Sequence, residues 1–184
     1  MNKFQLSVAV FSTLSVLFIG PQSKAIESNN SSSNMKFEIP EVEHGMLSLR
    51  SKHLSDADII NMAPDFPKDI SAMDLSRNTI GADGIKALLP HFAALYTLNL
   101  AHNKLGDEGV SILMIYLKSN DSDLTDLDLR DNHISEEGIK IIASNLPKNL
   151  NRLLLDSTDI GVEAETALND VGFVYAGSTL WVRR

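Results

Sequence analysis

The chain has 184 residues, 16 Lys and Arg against 24 Asp and Glu, and no cysteine. Its length suits one domain, and its composition is that of a folded protein rather than a disordered one. The acidic balance argues against nucleic acid, which needs clustered cations, and the lack of cysteine excludes disulfides, thiolate metal sites, a cysteine nucleophile and a lipoprotein anchor.

Residues 1–25 form the first element. Lys3 gives a positive start, "LSVAVFSTLSVLFIG" is apolar, and Ser23 and Ala25 sit at the small-residue places of a cleavage site. This is the three-part pattern of a secretory signal. A retained membrane anchor is the alternative, but about 15 apolar residues fall short of the roughly 20 a bilayer needs. The expectation is a cleaved signal, a secreted or periplasmic product, and no stable membrane insertion afterwards. Residues 26–45 follow as a linker and N-terminal cap. They open on the Ser/Asn tract "IESNNSSSNMK", which has no core-forming pattern.

Residues 46–184 carry one repeated frame. Leu95, Leu98, Leu100, Asn103 and Leu105 are spaced L-x-x-L-x-L-x-x-N-x-L. Ile70, Met73, Leu75, Asn78 and Ile80 repeat it upstream; Leu124, Leu127, Leu129, Asn132 and Ile134 repeat it downstream. Weaker copies run from Leu47 to Leu54, with Lys52 in the Asn place, and from Leu150 to Ile160, with Thr158 there. Leu180 and Val182 fit the L-x-L places of a sixth copy. The second anchors fall at 47, 73, 98, 127, 153 and 180, a near-constant period. L-x-L alternation reads as a half-buried strand. The stretch after it, with Ile85, Leu88, Leu89 and Phe92 on one face, reads as an amphipathic helix.

This frame, with the turns "IGADGI", "LGDEGV" and "ISEEGI", resembles leucine-rich-repeat proteins of the ribonuclease-inhibitor-like subclass. The resemblance covers residues 46 to about 182. It implies an α/β solenoid of about five strand-turn-helix repeats plus a terminal strand. Strands pack about 4.8 Å apart and helices about 8–10 Å apart, so a parallel sheet lines the concave face and helices lie on the convex face. Six strands span roughly 24 Å there.

The polar residues then divide by register. Asn78, Asn103 and Asn132 recur with the leucines and read as a structural ladder serving turn backbone. Gly84, Gly109 and Gly138 read as clearance, and Asp83, Asp107, Glu108, Glu136 and Glu137 as acids favoured in a helix's first turn. The acid-rich "DSDLTDLDLRDN" lacks the glycine of a calcium loop. The five histidines have no metal-ligand spacing, and no nucleophile elbow is present. The reading is non-enzymatic, with no cofactor and no metal.

What remains are strand-face and post-strand positions, to which the repeat frame assigns no fold duty: Arg50, Asp74, Arg77, Thr97, Asn99, His102, Asp126, Asp128, Arg130, Asp131, Arg152 and Asp156. Their mixture of acids and arginines suits a protein partner. The expected function is a protein-binding module, at the host interface if the source is a host-associated bacterium. The alternatives are an envelope component without a dedicated ligand and, from the family resemblance alone, a GTPase-activating regulator. The C-terminal strand, with Trp181 pointing outward, is expected to form an exposed edge: a capping strand or the stump of a longer solenoid, leaving a monomer or an edge-mediated dimer.

Overall fold

The computed structural model describes residues 37–156 and 160–184. The signal segment and most of the Ser/Asn tract lie outside the described residues, as do Ser157, Thr158 and Asp159. Within residues 37–184, five units each pair a three-residue strand with a helix. They are β1 (Met46–Ser48) with α1 (Asp56–Met62), β2 (Ala72–Asp74) with α2 (Ala82–Phe92), β3 (Thr97–Asn99) with α3 (Gly106–Ser119), β4 (Asp126–Asp128) with α4 (Glu136–Ser144), and β5 (Arg152–Leu154) with α5 (Val162–Asp170). Strands β6 (Phe173–Gly177) and β7 (Leu180–Arg183) close the chain. The sheet order is β1-β2-β3-β4-β5-β7-β6, parallel from β1 to β5.

The central residue of each parallel strand points into the core, and these residues stack in register: Leu47, Met73, Leu98, Leu127 and Leu153. The anchors before and after them (Ile70, Leu95, Leu124 and Leu150; Leu49, Leu75, Leu100, Leu129 and Leu155) are buried as well. The helices contribute Ile59, Ile85, Leu88, Phe92, Val110, Leu113, Ile139, Ile142 and Leu168. Leu89 is only half-buried, at the margin of the α2 stripe. At the N-terminal end, Phe37, Ile39 and Val42 pack against the first coil, so residues 37–45 cover apolar surface that no preceding repeat covers.

The C-terminal reading is corrected. β7 runs antiparallel, hydrogen-bonded to β5 on one side and β6 on the other, so β6 and not β7 is the sheet's edge. Trp181 pairs with Leu153 and is 2 % exposed, while Leu180 and Val182 are half-buried. Directly opposed residues share a face of the sheet, so Trp181 follows Leu153 inward. The leucine-like spacing at 180 and 182 has the wrong parity because this strand arrives from a hairpin. Gly177 (φ +106°) and Ser178 (φ +58°) make that turn, and the Arg183 guanidinium lies 5.1 Å from the Phe173 ring centroid. Among the described residues, no helix is long and apolar enough to cross a membrane.

Candidate protein-interaction face

The side of the parallel sheet away from the helices starts from the turn that ends each strand. Behind it lies the Asn ladder. Asn103 Nδ2 donates to Leu100 O at 2.9 Å within its own coil and to Leu75 O at 3.0 Å in the coil before. Its Oδ1 accepts from Ile80 N–H of that earlier coil at 3.0 Å. Asn78 does the same one coil earlier, accepting from Leu54 N–H and donating to Leu49 O and Leu75 O. Asn132 donates to Leu100 O and Leu129 O and accepts from Leu105 N–H. Each amide therefore serves the coil before it. This explains Lys52: the first repeat's turn is held by Asn78, and no earlier coil needs an amide from position 52.

Acids and glycines at the helix starts also join coils. Asp56 Oδ1 accepts from Gly81 N–H at 2.6 Å, and Asp107 accepts from Ser135 N–H at 2.8 Å and Ser135 Oγ at 2.6 Å. A Cβ on Gly84 would lie 2.5 Å from Asp56 Oδ1 and 2.7 Å from Ile80 Cγ2, so a larger residue there would displace the acid that the preceding coil sends across. Proximity to a helix dipole is therefore only part of what these acids do.

Several face residues turn out to carry fold duty. The side chains of Asp74, Asn99 and Asp128 each accept from the backbone N–H two residues on: Ser76 at 2.9 Å, Ala101 at 3.0 Å and Arg130 at 3.2 Å. These Asx turns bend the chain out of each strand. Next, Ser51, Arg77, His102 and Asp131 all have left-handed backbone, with φ between +52° and +59°. Such φ costs most residues energy, least so Asn, Asp and His. The sequence expectation that these positions are unconstrained is therefore corrected for both columns. Asp74 is 7 % exposed and its neighbours Ser76 and Ala101 are 2 % and 3 % exposed, so this strip offers a partner little.

The charges are largely paired among themselves. Arg130 holds Asp128 with two bonds, from Nε at 2.9 Å and Nη2 at 2.5 Å, and this contact keeps the guanidinium pKa above its ordinary value. Arg152 Nη1 reaches Asp126 on the adjacent strand at 2.9 Å, and His102 Nδ1 lies 2.9 Å from Asp131. Asp156 accepts from Asp131 N–H at 2.6 Å, and Arg50 approaches Asp74 at 3.9 Å. Arg77 is exposed and makes no ion pair among the described residues. Thr97 and Arg152 are exposed and half-buried Asp126 lies between them, in register on adjacent strands. The structure thus brings the twelve candidates onto one face and its rim. Exposed among them are Arg50, Arg77, Thr97, His102, Asp131 and Arg152, and of these Arg77 and Thr97 make no side-chain bond among the described residues. The recurrence of Asp or Asn at 74, 99 and 128, in register with the leucines, was the signal for the Asx role. It is the same signal that marked the ladder.

Among the described residues, no three His, Asp or Glu side chains gather as a metal site. His44, His53 and His133 sit exposed in left-handed turns. His91 is half-buried against Phe66, with ring centroids 5.6 Å apart. Burial pushes its pKa down, a bond to the Ala63 backbone opposes this, and Lys68 adds to the depression.

Residues 71–89, 95–114 and 120–143 match a family model described as Leucine Rich repeat. No curated protein matches the chain. Among solved structures, the chain is similar to "Leiomodin-1 Actin-Binding Site 2 (ABS2)", with a TM-score of 0.55 and 16 % identity over 71 % of this chain and 80 % of that one. At that identity the likeness is one of fold.

Proposed function

We propose that this leucine-rich-repeat chain is an exported protein-binding module that takes a partner protein on the sheet face opposite the helices. The observation that carries the reading is the pre-set geometry of that face. Left-handed turns set Arg77, His102 and Asp131, and the register of the parallel sheet sets Thr97 and Arg152, with acids and arginines interleaved. A surface ordered before binding loses little entropy when it binds. Interleaved charge matches the polar surface of a protein better than a phosphate backbone or an apolar lipid. Export rests on the pattern of residues 1–25.

The test uses residues 26–184 as immobilised bait, with Arg77→Glu/Arg152→Glu as the face variant and Ile115→Ser, on the opposite helical side, as the control. Asp128 and Arg130 are unsuitable targets, because reversing either breaks the Asx turn's ion pair. The expected result is a partner captured by wild type and by Ile115→Ser and lost by the double variant, with unchanged circular dichroism. Capture that survives the double variant refutes the face assignment. A full-length chain found unprocessed in the cytosol refutes export.

A further inference from the structure

The first coil has no coil before it, and the bonds such a neighbour would make can be read from the later coils. At each of the first three junctions the earlier coil donates to two carbonyls of the next. Leu49 N–H reaches Asp74 O at 2.8 Å and Ser51 N–H reaches Ser76 O at 2.9 Å. Leu75 and Arg77 do the same to Asn99 and Ala101, as do Leu100 and His102 to Asp128 and Arg130. Ser48 is in register with Asp74, which makes Arg50, two residues on, the counterpart of Ser76. Leu49 bonds toward β2, so strand alternation turns the N–H and C=O of Ser48 and Arg50 the other way. None of these four groups is bonded among the described residues, and both residues are exposed.

The N-terminal cap closes only the start of this edge. Glu43 and Met46 exchange both backbone bonds, at 3.1 and 2.9 Å, in an antiparallel bridge around the turn at His44 and Gly45. Upstream of Glu43 no further bridge forms among the described residues, and Val42, Ile39 and Phe37 pack on the core instead. At the other end Ser51 is left-handed, and Lys52 N–H donates to Asn78 Oδ1 at 3.1 Å. The open groups therefore lie on Ser48 and Arg50, about 6.8 Å apart along one side of a strand. Unpaired strand groups at this spacing match the backbone of an extended polypeptide. Arg50 adds a side-chain preference. Its side chain is 51 % exposed and comes no nearer to Asp74 than 3.9 Å. We propose that the β1 edge is a second binding site, which takes an extended segment of a partner polypeptide as an added antiparallel strand, with an Asp or Glu of that segment opposite Arg50. The added strand continues the direction that Glu43 begins. The site is the edge of the sheet and not its face, so it stands whether or not the face binds a protein.

Amide hydrogen exchange followed by NMR reads this edge residue by residue in the folded protein. Without ligand, the Ser48 and Arg50 amides should exchange fast, while Leu49, bonded to Asp74, is protected. The probe is the peptide Ac-Val-Glu-Val-Thr-Val-NH2, added through the millimolar range, with its Glu opposite Arg50 and its Thr opposite Ser48. The expected result is a saturable shift and protection of the Ser48 and Arg50 amides. In such a strand the Glu and Thr amides face the edge and the central Val amide faces away. N-methylation of either of the first two should abolish binding, and N-methylation of the central Val should spare it. Arg50→Gln, at an exposed position, should fold normally and weaken the probe by about two- to fivefold, the range of a partly exposed ion pair. Slow exchange of Ser48 and Arg50 in the free protein overturns the proposal, because the cap or a second copy then already covers the edge. An absent saturable response, or equal loss from all three N-methylated probes, overturns it as well. Unchanged affinity in Arg50→Gln overturns the acidic preference.

Discussion

Replacing ladder asparagines one at a time should give unequal losses of stability, and the inequality follows from shared carbonyls. Asn103→Ala removes the donors to Leu75 O and Leu100 O and the acceptor for Ile80 N–H. Leu75 O still receives Asn78 at 2.7 Å, and Leu100 O still receives Asn132 at 2.9 Å. One buried group, Ile80 N–H, is left bare, and an unsatisfied buried donor costs about 1–3 kcal/mol. Asn78→Ala is different. Leu75 O keeps Asn103, but Leu49 O and Leu54 N–H lose the amide that serves them, and Lys52 N–H loses it nearer the surface. Two buried groups put the cost at about 2–6 kcal/mol. Urea unfolding followed by circular dichroism measures both, with the m-value checking that two-state behaviour survives. The midpoint should fall further for Asn78→Ala. If Asn103→Ala costs as much or more, carbonyl sharing does not protect the middle of the ladder and the reasoning fails.

Gly84→Ala should destabilise, because the new Cβ meets Asp56 Oδ1 at 2.5 Å and Ile80 Cγ2 at 2.7 Å; overpacking of this kind costs about 1–3 kcal/mol. Gly109→Ala, whose nearest neighbour is Leu105 Cβ at 3.1 Å, should cost less, and the pair of thermal midpoints decides the order. Adding Asp56→Ala to Gly84→Ala should recover part of the loss, and strict additivity in the double-mutant cycle would show that the acid is not the obstacle. The depressed pKa of His91 means that the unfolded chain binds its proton more readily than the folded one. Its contribution is therefore fully present above the unfolded value, near 6.5, and is lost as pH falls through and below it. Between pH 7.5 and 5, His91→Gln should lose less stability than wild type; parallel pH profiles would remove His91 from the acid limb.

Most of the solenoid was legible because two periods coincide in it. Leu98 and Leu100 alternate as a strand needs, and Ile85, Leu88 and Phe92 repeat as a helix needs, with both patterns returning near every 26 residues. Asn103 was legible for the same reason. The C-terminal hairpin was not. Spacing at 180 and 182 says which residues alternate, but it does not say which way the strand runs, and in a sheet closed by an antiparallel return the inward parity belongs to Trp181. The double role of Asp128 was hidden differently. Its charge suggested a partner, whereas its carboxylate is occupied by Arg130 N–H, Nε and Nη2. A residue type cannot reveal whether its bonds are already made.

That distinction narrows where recognition can be written. Substitution at 74, 99 or 128 disturbs an Asx turn, and substitution at 77, 102 or 131 must tolerate left-handed backbone, which penalises β-branched side chains most. The first strand position carries neither constraint. Thr97, Asp126 and Arg152 occupy it on three adjacent strands, about 4.8 Å apart, with half-buried Ala72 and exposed Met46 continuing the row. β-branched residues are well suited to that row and poorly suited to the left-handed column beside it. A change of partner would therefore be made most cheaply at 72, 97, 126 and 152, with the left-handed column limited to Arg, Asp, His, Ser and similar unbranched side chains. A selection for new binders from a library randomised over both columns would test this. Enriched clones should vary freely in the first row and keep unbranched residues at 77, 102 and 131. Folded binders rich in Val or Ile at the latter positions would contradict it.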